Sequence, residues 1–260
     1  MNFRTRLFVI LWIAGLAGVL SFLLVDLSAL LAYLPVTSGA KMPFSPLVLS
    51  LLSIIQSTVI LTLAVLTGVL LASRVGLLAP ATEAVARGGN LGAALRPQIV
   101  PGLVGGLLGG IVIILSWVLC KPFLPPEFVT RAEHLNRFLP FLTRLLYGGI
   151  TEELLLRWGV MTLLVWAAWR LFQKGRGKPR ESYVISAILF SAAIFGLGHL
   201  PLASALAGKI TVSIFFYITV ANSSFGLIAG YLYWKKGLES AIIAHMVAHV
   251  VIVTAIYFGT

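Results

Sequence analysis

The chain has 260 residues, of which 59% are hydrophobic and only 10% charged, against roughly a quarter charged in soluble domains. This composition excludes an ordinary soluble protein and predicts several membrane-spanning helices, because about 18 apolar residues can cross the hydrocarbon core. The formal net charge of +11 comes from cations in short connections rather than from a basic stripe with interleaved aromatics, so we expect no nucleic-acid partner. The single cysteine, Cys120, excludes an intramolecular disulfide.

The first apolar run covers residues 7–25 and could extend through 26–33. It is longer than the apolar part of a signal peptide, and no small-residue cleavage motif follows it, so we expect an uncleaved first span. Prolines and a glycine in residues 35–46 predict a loop. A second span is predicted over 47–72.

Residues 77–98 mix charged residues and glycines, which predicts a surface connection with an interfacial helix. The third span is predicted over 99–120. Its glycines Gly102, Gly106 and Gly110 recur at small-xxx-small spacing, which is typical of closely packed membrane helices.

Residues 121–137 are polar and proline-rich and predict a loop, whereas 138–147 could lie in the interface or enter the membrane as part of an eighth span. The fourth span is predicted over 150–172, with Trp166 and Trp169 as interfacial anchors near its end.

A strongly basic segment separates the fourth span from a fifth at 183–199, which Pro201 is expected to stop. The sixth and seventh spans are predicted over 210–234 and 238–258. The predicted fold is therefore all-α: a polytopic transmembrane bundle of seven or eight spans with a membrane-embedded polar cavity. We expect one integral membrane domain over 1–260, whose motif-bearing core is 138–258.

The distribution of cations predicts the orientation. With the N-terminus inside, twelve Lys and Arg residues fall on the cytoplasmic side and six on the other, as the positive-inside bias requires. We expect a multi-pass protein of a prokaryotic cytoplasmic membrane.

Two adjacent acids, Glu152 and Glu153, lie within the apolar stretch of residues 138–172. A carboxylate inside a bilayer costs at least a few kcal/mol and is a functional candidate by default. Arg157 follows Glu153 by four residues and can pair with it on one helix face, whereas Glu152 diverges by about 100° and is free to face a cavity. The alternative is a helix start, with Thr151 as N-cap and both acids in the first turn.

Three histidines lie in or beside apolar segments. His199 ends the fifth span, where a residue near the headgroups is the simpler interpretation. His245 and His249 stack at i and i+4 on the seventh span. They could form an interhelical hydrogen-bonding pair, serve catalysis, or ligate a metal.

Three segments together resemble a known family. The sequence Glu152-Glu-Leu-Leu-Leu-Arg157 is similar to the E-E-x-x-x-R motif of the CAAX protease and bacteriocin-processing (CPBP, or Abi) family of intramembrane glutamic endopeptidases. Phe195-Gly-Leu-Gly-His199 resembles its F-x-x-x-H motif, and residues 226–245 resemble its last motif region. The resemblance covers roughly 143–250.

This resemblance implies a membrane-embedded site like that of the type II CAAX prenyl endopeptidase. Glu152 would activate water with the help of His199, and His245 would face the site, while Glu153 and Arg157 support it. The substrate would be a peptide or protein that is membrane-associated, including lipid-modified ones, and no cofactor is implied.

The sequence departs from the family at His249, where the usual residue is Asn. A neutral imidazole N–H can still donate to an oxyanion, so His249 stays a catalytic candidate. The change also leaves open a non-catalytic immunity or scaffold protein, and a zinc site at His245, His249 and His199. A proton-coupled transporter is a third alternative, although it should show an internal repeat.

Overall fold

Seven helices form the body of the protein. A computed structural model describes residues 1–35 and 44–259, and within these residues seven helices are long and apolar enough to cross a membrane. No strand occurs in this part of the chain, so the predicted all-α bundle with seven spans is confirmed. The spans are Phe3–Leu24, Pro46–Arg74, Leu91–Phe123, Phe141–Phe172, Glu181–Ala207, Val212–Lys235 and Leu238–Phe258.

Several spans begin at a polar side chain that accepts a hydrogen bond from a backbone N–H of the first turn. Asn2, Ser45, Asn90 and Thr211 act in this way, on Thr5, Val48, Ala93 and Ile214 respectively. Each cap satisfies one of the donors that a helix start leaves unpaired. The capping residues therefore fix where the apolar runs become helical.

The first and third spans differ from prediction at their boundaries. The helix Phe3–Leu20 ends in a 3-10 turn, and Asp26 caps a separate helix, Leu27–Tyr33, so the first span does not continue to residue 33. The third helix begins at Leu91 rather than at residue 99, because Asn90 caps it there. Most of the loop predicted at 35–46 lies outside the described residues.

Two helices were not predicted. Residues 121–137 do not form a simple loop, because Pro126–Phe138 is a helix with its proline in the first turn, where the missing N–H costs little. Pro201 likewise does not stop the fifth span. It lies in the first turn of a helix, Leu200–Ala207, that continues after a break at His199.

These two helices pack together at one end of the bundle. Leu124, Phe128, Leu206 and Ile214 are among the members of a small apolar cluster separate from the main core. The guanidinium of Arg131 donates to the carbonyl of Leu206 at 2.9 Å. The two helices are therefore packed against each other and do not form a loose connection.

The fourth span lies at the centre of the bundle. It starts at Phe141 rather than at residue 150, so the segment 138–147 enters the same helix and adds no eighth span in the described residues. The Thr151 hydroxyl donates to Gly15 of the first span at 2.8 Å, and the Trp158 indole donates to Val65 of the second at 3.3 Å. The Thr162 and Tyr233 hydroxyls are 2.8 Å apart and join it to the sixth span.

The glycine repeat of the third span allows close packing, as predicted. A Cβ on Gly102 or Gly110 would lie 2.7 Å from Ile243 or Val251, and one on Gly106 would lie 2.5 Å from Val247. All three neighbours are on the seventh span. The repeat therefore brings the third span against the helix that carries His245 and His249.

Candidate active site

The backbone around the two acids is a π-helix. The π geometry covers Arg144–Glu152 and Leu154–Met161, inside the otherwise α-helical fourth span. Short π segments often mark functional sites, because they re-aim side chains within a helix. The alternative in which Thr151 caps a helix start is wrong, since Thr151 lies within a continuous helix and its side chain bonds to the first span.

Glu153 and Arg157 form the predicted ion pair. The Nε of Arg157 lies 3.2 Å from Oε2 of Glu153, and both side chains are fully buried. The Nη2 of Arg157 donates to the carbonyl of Gly226 on the sixth span at 3.2 Å, and the guanidinium lies 4.9 Å from the centre of the Phe195 ring. Arg157 therefore links the fourth span to the fifth and sixth.

Glu153 also contacts the seventh span. Its Oε1 lies 2.8 Å from Nδ1 of His245, and His245 is only 5% exposed. The other oxygen of the carboxylate faces Arg157. One carboxylate thus bridges a guanidinium and an imidazole, an arrangement that orients the imidazole ring.

Glu152 approaches the opposite side of the same imidazole. Its Oε2 lies 3.8 Å from Nε2 of His245, and its side chain is 20% exposed, in contrast to the fully buried Glu153. The separation is too long for a direct hydrogen bond and is one that a water molecule can bridge. Glu152 is therefore the more accessible of the two acids and faces a histidine.

His199 is held by its own helix. Its Nδ1 lies 2.7 Å from the carbonyl oxygen of Phe195. The Phe195 ring meets His199 and His245 edge-on, with ring centres 4.8 and 5.7 Å apart. Phe195 is thus the ring between the two histidines, which places the F-x-x-x-H segment beside the acids.

His249 stacks on His245. The two rings are nearly parallel, with centres 5.0 Å apart. A Cβ on Gly148 would overlap Nε2 of His249, and Nδ1 of His249 is buried with no hydrogen-bond partner among the described residues. His249 therefore packs on the glycine that precedes the acids by one turn and keeps a free polar atom.

The structure brings together most of the residues that the sequence singled out. Glu152 and Glu153 approach the His245 ring, and Arg157 joins the group through Glu153. Phe195 and His249 contact the same ring, and His199 contacts Phe195. The fourth histidine, His134, lies apart and stacks on Tyr33 with ring centres 4.0 Å apart.

Two residues of the site were not predicted. The Phe225 ring lies 4.5 Å from that of His245 and forms one wall. Gly148 admits the His249 ring. Neither residue has a reactive side chain, so only its contacts in the folded protein identify it as part of the site. In the described part of the chain no three His, Cys, Asp or Glu side chains are grouped to hold a metal ion.

These observations define a class: a polytopic α-helical membrane protein with a cluster of polar side chains between its spans. The fourth span contributes two carboxylates and a guanidinium to the cluster, and the fifth and seventh spans contribute histidines. Residues 134–251 match the family model described as type II CAAX prenyl endopeptidase Rce1-like. The resemblance of this segment to the CAAX protease and bacteriocin-processing family is therefore confirmed.

The match includes every motif residue named above and covers a little less than half of the chain. It suggests an intramembrane peptidase of the CAAX-protease type. Neither the curated proteins nor the solved structures include a match to the chain. The cytoplasmic N-terminus and the prokaryotic membrane stay predictions.

Proposed function

We propose that the protein hydrolyses a peptide bond within the membrane, using water activated by Glu152 and His199. The observation that carries this proposal is the approach of the Glu152 carboxylate to within 3.8 Å of the His245 imidazole, inside a helical bundle. An acid and an imidazole one water apart, sheltered from bulk solvent, are suited to general acid–base catalysis.

The hydrogen bonds of His199 and His245 indicate which nitrogen of each neutral ring carries the proton. A carbonyl only accepts, so Nδ1 of His199 donates to Phe195, and the Nε2 of the neutral ring keeps a lone pair. When Glu153 is ionised, Nδ1 of His245 donates to it in the same way, and Nε2 faces Glu152. Both rings would then present a proton acceptor to water or to the substrate.

The reaction follows from this assignment. Glu152 takes one proton from water while Nε2 of His199 accepts a hydrogen bond from the other, and the hydroxide oxygen bonds to the carbonyl carbon of the substrate peptide. The resulting oxyanion needs a hydrogen-bond donor, and we assign this role to His249, whose Nδ1 has no partner in the part of the chain that the structure describes. Collapse breaks the C–N bond, and protonated Glu152 returns its proton to the leaving amine.

Glu153 and Arg157 have supporting roles in this scheme. Arg157 balances the buried charge of Glu153, and Glu153 fixes the ring of His245. The substrate would be a membrane-associated peptide or protein, including lipid-modified ones, since the site lies between spanning helices.

Comparison of new protein N-termini tests the proposal. Membranes from cells that express the chain should contain N-termini that are absent when Glu152→Gln is expressed at the same level. Glu133→Gln is a matched control, because Glu133 is a half-exposed acid whose carboxylate pairs with Lys121 rather than with a residue of the site. The control should retain every new N-terminus.

Identical N-termini from the parent protein and Glu152→Gln would contradict the peptidase assignment. A zinc-dependent protease of the same fold is tested with the same products. Hydrolysis that a chelator abolishes and added zinc restores would favour that alternative, whereas unchanged hydrolysis in a metal-stripped sample would exclude it.

A non-catalytic scaffold or immunity protein is the second candidate. It is favoured by His249 in place of the family's Asn and by the ion pairs that already join Glu153 to Arg157 and to His245. Under this alternative, substitution of Glu152 changes no cleavage product, while binding to a partner protein persists.

A further inference from the structure

A basic cleft lies at the C-terminal end of the fourth span, beyond the segment that carries Glu152 and Glu153. It is a cavity of about 200 Å³, lined by Arg74, Trp166, Trp169, Arg170, Lys174 and Gly175. Arg74 ends the second span, and the other residues belong to the last turns of the fourth span and the turn that follows. Two spans and one turn therefore form its walls.

Within the described residues, the three cations of the cleft form no ion pair with an acid. Arg74, Arg170 and Lys174 are exposed, and in the described part of the chain the ion pairs of Lys and Arg involve Arg87, Lys121, Arg157 and Lys235 instead. Three positive charges that line one cleft, with no acidic partner in the part of the chain that the structure describes, favour an anionic ligand.

The turn that carries Lys174 is fixed by hydrogen bonds. The Gln173 amide donates to the carbonyls of Arg176 and Lys178 at 2.6 and 2.8 Å, and the Trp169 indole donates to Gly177 at 3.1 Å. Among the described residues other than glycine, Lys174 has a positive φ, 54°. L-residues adopt this backbone conformation at some cost in free energy. The turn is thus built to hold one shape.

The position of the cleft indicates the kind of anion. Trp166 and Trp169 lie in the last turns of a membrane span, where indole rings favour the headgroup level. An apolar ring surface beside guanidinium and ammonium groups suits a phosphate that is joined to acyl chains better than a fully hydrated ion.

We propose that this cleft binds the phosphate headgroup of an anionic phospholipid. Arg74 and Arg170 would meet the phosphate oxygens with their planar N–H groups, Lys174 would add a point charge, and the two indoles would pack on the glycerol and upper acyl carbons. A lipid bound there anchors the end of the span that carries Glu152 at a fixed depth.

Lipid retention in native mass spectrometry tests the proposal. The full chain is reconstituted in nanodiscs of phosphatidylcholine with a minority of phosphatidylglycerol, and the phosphatidylglycerol that remains bound is counted. Arg74→Gln/Lys174→Gln removes two cleft charges, and neither side chain makes a hydrogen bond or ion pair within the described residues.

The matched control is Arg176→Gln/Lys178→Gln, which removes two charges from the same turn outside the cleft. Both variants lose diffuse attraction to anionic lipid, about fivefold per cation. We expect the cleft variant to lose at least about tenfold more affinity than the control, with unchanged thermal stability. Lys174→Gln against Lys178→Gln repeats the comparison if the double variant unfolds.

Equal losses in the two double variants, or none in either, would overturn the proposal, because the attraction would then be diffuse. A further arm adds inorganic phosphate at millimolar concentration. We expect the bound lipid to remain, whereas its displacement would identify the cleft as a site for free phosphate and reject the lipid.

Discussion

The carboxylate of Glu153 and the imidazole of His245 lie 2.8 Å apart and join the fourth and seventh spans inside the bundle. The same carboxylate pairs with Arg157, so its charge is compensated without access to water. This leaves Glu152, the neighbouring acid, as the partly exposed carboxylate at the opposite nitrogen of the ring. One acid thus holds the imidazole and the other is available for chemistry.

Removal of the buried guanidinium should be costly. Arg157→Met removes the guanidinium that pairs with the fully buried Glu153, and we expect a loss of about 3–5 kcal/mol in unfolding free energy. Arg157→Met/Glu153→Gln removes both charges and should recover part of that loss. Denaturant unfolding in detergent micelles measures both variants.

Arg87→Met is the control for this pair. Arg87 and Glu83 have the same i, i+4 spacing at 3.1 Å, but the arginine is 62% exposed, so we expect a loss of at most about 1 kcal/mol. A double variant at Glu153 and Arg157 that is no more stable than Arg157→Met would show that compensation of charge is not the reason for the pair.

Glu153→Gln should impair the reaction more than the binding of substrate. A glutamine can accept from or donate to Nδ1 of His245, so it no longer selects one tautomer of the ring. We expect kcat to fall by about 10–100-fold with little change in KM. A change confined to KM would indicate that Glu153 lies in the substrate path instead.

The packing of His249 on Gly148 predicts a rescue. Gly148→Ala introduces a Cβ that overlaps the His249 ring, so we expect cleavage to fall at least about tenfold as the donor moves. His249→Asn shortens the side chain and restores the family's residue, and Gly148→Ala/His249→Asn should recover cleavage. His249→Ala, which has no donor, should lose about 100-fold or more.

Full cleavage by His249→Ala would remove His249 from the oxyanion role. Failure of His249→Asn to rescue Gly148→Ala would show that the glycine serves the backbone of the π-helix rather than the imidazole.

The close contact between the third and seventh spans predicts a stability difference between two glycines of one helix. A Cβ on Gly106 would lie 2.6 Å from the carbonyl oxygen of Ala244, a backbone atom that cannot easily move. Gly106→Ala should therefore lower the free energy of unfolding by about 1–3 kcal/mol. Gly92→Ala should be neutral or stabilising, because Gly92 is exposed and its Cβ would make an ordinary contact at 3.4 Å. Equal effects would contradict the packing described.

Much of this architecture could be predicted from the sequence. Hydropathy was sufficient to predict the seven spans, because each is a long apolar run. The i, i+4 spacing predicted the pair of Glu153 and Arg157, and the glycine spacing predicted the close approach of the third span. These features depend on local periodicity.

Two features could not be predicted from local periodicity: the π-helix around the acids and the helix that follows the third span. In a straight α-helix Glu152 and Glu153 point about 100° apart, yet both reach His245. The π-helix turns less per residue, because its hydrogen bonds join i and i+5, so neighbouring side chains stay closer in direction. The helix Pro126–Phe138 was missed because prolines that normally predict a loop occupy its first turn.

The central claim is that Glu152 activates the water that cleaves the substrate. Its most direct test is the rate of hydrolysis of one identified substrate by purified Glu152→Gln in lipid nanodiscs, compared with the parent protein and Glu133→Gln. We predict that the rate of hydrolysis by Glu152→Gln falls by about 100–10,000-fold, while its thermal unfolding is unchanged and the control hydrolyses the substrate at the normal rate. Hydrolysis by folded Glu152→Gln at the parent rate would contradict the account.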